Sequence, residues 1–111
     1  MTIRDMVKAM QVEIRDTDLQ PSRAADLLTR LTALMGNVND EIRIADQEYA
    51  LCLLGHLQQE EKANRAKIQA EVSPQYQRKR EARDTKELVI ELVRSLKYFL
   101  KAKEEEMRLS R

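Results

Sequence analysis

Residues 22–72, SRAADLLTRLTALMGNVNDEIRIADQEYALCLLGHLQQEEKANRAKIQAEV, decide the fold. Ala24, Leu28, Leu31, Met35, Val38, Ile42, Ala45, Tyr49, Cys52, His56, Gln59, Ala63, Ala66 and Ala70 follow one another at alternating steps of four and three. That spacing keeps one stripe of an α-helix turned toward a partner helix, as in the seam of a coiled coil. No proline interrupts the stretch, so it predicts one helix over about residues 22–72, a rod of roughly 75 Å at 1.5 Å per residue. The seam weakens toward its end, where alanine replaces leucine, and Gly36 and Gly55 are places where the rod can bend.

The flanks supply the starts and stops. Thr2 and Asp5 have the spacing of a capping box, and Ile3, Met6, Val7, Met10 and Ile14 recur at helical intervals, which predicts an amphipathic helix over about 3–16. Asp16-Thr17-Asp18 breaks the pattern and Gln20-Pro21-Ser22 restarts it, proline being tolerated in a first helical turn. Ser73-Pro74 stops the rod and can cap a third helix over about 74–109, whose apolar face includes Val89, Leu92, Val93, Leu96, Phe99 and Leu100. So short a connection at residue 73 predicts that the third helix returns along the second. Opposed residue numbers then add to about 146, which sets 88–100 beside 49–57, the two most apolar segments. The fold expected is a single all-α domain: a long antiparallel, coiled-coil-like helical hairpin with a short N-terminal amphipathic helix lying against residues 24–45.

Composition agrees with that class. The 111 residues include only 2 glycines and 2 prolines, and 35 % are charged, a usage that suits long helices and not sheets. One domain of this length has little room for an elaborate enzyme pocket, and an enzyme is not expected. Lys and Arg number 20 against 19 Asp and Glu, so no global field favours nucleic acid or an anionic membrane, and any electrostatic function is local. One cysteine rules out an internal disulfide. No apolar run approaches the ~20 residues of a membrane span, and the N-terminus lacks the apolar core of a signal peptide. The expectation is a soluble protein of the cytoplasm, with no membrane partner, no cofactor and no small-molecule substrate.

Within YALCLLGHL, residues 49–57, stand the only cysteine and the only histidine, Cys52 and His56. A catalytic pair would need a third, orienting group and a way in for substrate. A metal site would need about four ligands, which only a symmetric dimer could complete from this pair. Both residues lie on the seam, so the expectation is packing, with His56 bonded to a polar neighbour and no catalytic or metal residue. Leu51, Leu54 and Leu57 point elsewhere, making the segment apolar nearly all round. A short first helix does not obviously reach position 57, which points to self-association.

Between residues 62 and 83 stand Lys62, Arg65, Lys67, Arg78, Lys79, Arg80 and Arg83 against only Glu71 and Glu81. Such a cluster at a helical turn can neutralise phosphates, with Tyr76 available to stack on a base; equally, it is a solvated end whose charges limit association. The tail KAKEEEMRLSR is accounted for by helical ion pairs, and its three successive glutamates splay around a helix and form no metal site. No phosphate loop, nucleophile elbow or zinc spacing occurs.

The segment KANRAKIQAEVSPQYQRKREARDTKELVIELVRSLKYFLKAKEEEMRLSR, about the last half of the chain, resembles small helical proteins of tailed bacteriophages and prophages. The likeness lies in a long charged helix, a tyrosine-containing turn and a last helix ending in a pattern like SLKYFLKAKEEEMRLSR. It implies a phage setting in the bacterial host cell and assigns no chemistry and no site residue. The expected function is a non-enzymatic protein-protein interaction module acting in phage replication, recombination or assembly. Its partner is another protein or a second copy of itself, as a homo-oligomer whose simplest form is a dimer. The contact is expected on Leu51, Leu54 and Leu57, or on Val89, Leu96 and Leu100. The alternative is a nucleic-acid accessory factor using the basic cluster and Tyr76.

Overall fold

The computed structural model describes residues 1–60 and 62–110. These residues form four helices and no strand: α1 (Ile3–Asp16), α2 (Pro21–Gln59), α3 (Ala63–Glu71) and α4 (Pro74–Leu109). The particle measures 73 × 24 × 22 Å, a long helical hairpin with a short brace.

Local chemistry sets the helix starts. The Thr2 hydroxyl accepts from the Asp5 amide at 3.1 Å while the Asp5 carboxylate accepts from the Thr2 amide at 3.3 Å, a capping box that satisfies two amides at the head of α1. Pro21 occupies the first turn of α2. At the head of α4 the Ser73 hydroxyl accepts from the Tyr76 amide at 3.2 Å, and Pro74 is the first helical residue.

The expected rod over 22–72 is instead two helices. α2 ends at Gln59, Glu60 and Lys62 have extended backbones, and residue 61 lies outside the described residues. The chain reverses here and not at residue 73. Cross-hairpin contacts fix the register: Arg83 reaches Asp46 at 2.7 Å, Arg78 reaches Glu48 at 3.5 Å, and the rings of Tyr49 and Tyr76 lie 5.3 Å apart. Opposed residue numbers therefore add to about 127, so the register that set 88–100 beside 49–57 is displaced by some twenty residues. Ser73-Pro74 is a joint within the returning arm.

Core pairing explains the shift. In the expected register Leu27 and Leu31 would face no part of α4. In the observed one, Leu27, Leu31 and Val38 meet Val89, Leu92 and Leu96, and Val7 of α1 joins them as one cluster with Ala24. Fully burying a leucine is worth about 1.5–3 kcal/mol, so matching the strongest segments of both arms outweighs the absence of a turn residue at 60–62. Ala66 and Ala70 are the buried residues of α3, which packs mainly on α2.

α1 lies alongside α2 and α4 over this core, with Ile3, Met10 and Ile14 packed against it. At its head Arg4 Nη1 donates to the Glu81 carbonyl and to the hydroxyl of buried Thr85, both at 3.2 Å. Near its end Arg23 forks onto Glu13, with Nε–Oε2 at 2.6 Å and Nη2–Oε1 at 2.8 Å. The brace thus reaches from the start of α2 to its middle and stops short of residues 49–59.

Candidate interaction surfaces at the hairpin tip

Above the head of α1 the hairpin has only two layers: α2 on one side, α3 and the first turns of α4 on the other. Ala45, Tyr49, Cys52 and His56 turn toward the returning arm. A helical residue advances about 100° around the axis, which puts Leu51, Leu54 and Leu57 on the sides turned away. They are 70 %, 50 % and 41 % exposed. Ile68 and Val72 are also exposed, on the far side of α3 from Ala66 and Ala70. Leucines that could have closed a core here face solvent.

The other expected contact face is not available. Val89 and Leu96 are fully buried in the cluster with Leu31 and Val38, and Leu100 is half-buried against it. Their apolar spacing is that of a core stripe, and the misplaced reversal is what made them look free.

The basic cluster is partly consumed by the fold. Arg78 pairs with Glu48 and Arg83 with Asp46, Lys79 Nζ stands 4.5 Å above the Tyr49 ring, and the Arg80 guanidinium lies 6.0 Å from the Tyr76 ring. Tyr76 is half-buried against Tyr49, so its ring is already engaged. Burial, with the Glu71 carboxylate nearby, holds the Tyr49 phenol above its usual pKa. Lys62, Arg65 and Lys67 are exposed and make no ion pair among the described residues. Arg78, Lys79 and Arg83 thus help to join α4 to α2, while Arg80 stays on α4 beside Tyr76.

Cys52 and His56 are both half-buried, and Cys52 lines a shallow cleft with Glu48, Leu51, Gln75 and Arg78. His56 makes no side-chain hydrogen bond among the described residues, contrary to the expectation of a polar partner. Among the described residues no three of His, Cys, Asp and Glu come together as a metal-ligating group. A larger cleft of about 440 Å³ opens where α1 begins, walled by Thr2, Arg4, Ile44, Glu48, Arg78 and Glu81 among others. It and the shallow cleft share Glu48 and Arg78, whose ion pair spans α2 and α4 between them.

Sequence reasoning passed over Arg4, Thr85 and Asp46. Asp46 accepts from Arg83 through Oδ2, while Oδ1 is buried without a partner. The only sequence signal was an acid on α2 with a base on α4, and pairing them needed the correct register. Among the described residues no helix is long and apolar enough to cross a membrane. A scan of the sequence against protein-family models found no match, and neither did searches of curated proteins and of solved structures.

Proposed function

We propose that this chain is a non-enzymatic helical interaction module, in the phage setting that the resemblance of its second half implies, and that it engages a protein partner or a second copy through the outward side of α2 near the tip. The observation that carries this reading is the exposure of Leu51, Leu54 and Leu57 in a chain that buries Leu27, Leu31 and Leu96 completely. A contiguous apolar stripe of this kind, remote from the core, is what an interface presents before its partner arrives. A role in replication, recombination or assembly belongs to the same reading.

The test is site-specific photocrosslinking in the cell of origin. A photoreactive residue replacing Leu54 is expected to give a discrete protein adduct, and Leu51→Glu is expected to abolish it. The same residue replacing Ala33, exposed in the braced half, is expected to give none. Equal yields at both positions, or no adduct at Leu54, count against the module. The nucleic-acid alternative draws its support from the exposed bases Lys62, Arg65 and Lys67, which make no ion pair among the described residues. Anisotropy of labelled single-stranded and duplex oligonucleotides separates the two: salt-sensitive binding lost with these three bases favours the alternative.

A further inference from the structure

The outward side of α2 has a spacing of its own. Ile44, Gln47, Leu51, Leu54 and Gln58 follow one another at alternating steps of three and four, which makes a second coiled-coil seam on the same helix. It lies on the opposite side from Ala45, Tyr49, Cys52 and His56, and all five of its members are exposed. In a chain that is 35 % charged, no residue from Tyr49 to Gln59 carries a charge. Loss of charge, more than apolarity itself, marks the centre of an interface. A helix that needed only to be wetted would not keep two seams back to back.

We propose that this second seam pairs with the same seam of a second copy of the chain, antiparallel, about a twofold axis passing between Leu51 and Leu54. The proposal rests on the interaction-module reading and names its partner. In an antiparallel pair each layer joins the two kinds of seam position. Leu51 of each copy then meets Leu54 of the other, and Gln47 of each meets Gln58, two amides able to bond and so to fix the register.

Charge selects the direction. The seam line continues below Ile44 to Asp40, which is exposed and makes no ion pair among the described residues. In the antiparallel pair the tip of one copy, with the exposed Lys62 just beyond the end of α2, comes near Asp40 of the other. A parallel pair would stack tip on tip, bringing like bases together, and Asp40 on Asp40. A crossing of four helical turns covers less than the ~800 Å² per partner of a standard interface, so association is expected in the micromolar range.

Sedimentation equilibrium of the full chain from about 5 to 500 µM is expected to show reversible monomer–dimer exchange. Leu54→Glu should weaken it by about 100-fold, because two carboxylates enter the central layer. Dilute-sample helicity and melting should be unchanged, since Leu54 is outside the core. Orientation is read by disulfide trapping in a Cys52→Ala background. Gln47→Cys and Gln58→Cys should each link poorly with themselves and efficiently when mixed. Efficient self-linking of either variant, or a monomer at 500 µM, overturns the proposal. Lys62→Glu should weaken the dimer, and adding Asp40→Lys should restore it; no rescue removes the charge argument for direction. If the chain is monomeric while Leu54 still captures a different protein, the second-copy proposal fails and the module stands; if Leu54 captures nothing, both fail.

Discussion

The lower half of the hairpin, around Leu31 and Val89, and the upper half, around Leu54 and Ala70, are built from the same two arms with opposite use of their leucines. Below, leucine and valine fill the seam and α1 adds a third layer, so Leu27, Leu31, Val38, Val89 and Leu96 are lost to solvent. Above, the seam holds Ala45, Tyr49, Cys52 and His56, α3 offers alanines, and the leucines turn outward. The difference teaches that heptad spacing locates a helix face and does not by itself say what will cover it. One half makes the fold; the other, its two arms held together by ion pairs and a tyrosine contact, presents surface.

The largest test of that contrast compares two leucines of one helix. Leu31→Ala leaves a cavity in the leucine-rich core and is expected to lower stability by about 2–5 kcal/mol. Leu54→Ala, measured below the association range, should change it by no more than about 0.5 kcal/mol. Urea unfolding followed by circular dichroism gives both values, and similar losses would mean that the upper half is packed more tightly than its exposure shows.

A smaller effect is expected where the brace ends. Arg4→Ala removes both hydrogen bonds to Glu81 and Thr85 and should cost about 1–2 kcal/mol. Hydrogen exchange should then quicken first in α1 while the tip keeps its protection. If the tip loosens equally, the two halves are one cooperative unit and the contrast is one of surface only.

Smaller again are the two glycines of α2. Neither Gly36 nor Gly55 has anything within 4 Å of where a Cβ would stand, and neither has a positive φ. Each change to alanine should stabilise by up to about 1 kcal/mol, and the gains should add because the sites are far apart. A gain at Gly36 with a loss at Gly55 would place a close contact beside the outward seam.

The helix starts were legible because capping is local: Thr2 with Asp5, Pro21, and Ser73 with Pro74 are signals of three or four residues. The reversal at 60–62 was not, since no glycine or proline stands there and Ala63, Ala66 and Ala70 continue the spacing across it. Only the competition between ways of pairing Leu27 and Leu31 with α4 decides it, and that is a property of the whole chain. The misplaced reversal propagated. It made Val89 and Leu96 look like a surface and hid the partners of Arg78 and Arg83. The outward leucines could be read despite it, because a segment apolar on every side must expose some of them in a thin hairpin.

Acid should give the smallest effect and act on one half first. Hydrogen bonding from Thr2 holds Asp5 below the usual carboxylate range, the Arg23 guanidinium does the same for Glu13, and Arg15 for Asp16. All three acids belong to α1. A carboxylate held low in the folded chain takes up its proton sooner when unfolded, so its contribution is present above the unfolded pKa of about 4 and is lost as pH falls through the lower folded value. The groups are solvent-exposed and each contributes little. Between about pH 5 and pH 3, α1 amides are expected to lose exchange protection before those of α4 around Val89. Glu13→Gln should start from a slightly less stable protein and flatten the acid limb. An unchanged limb would move the acid sensitivity away from the brace.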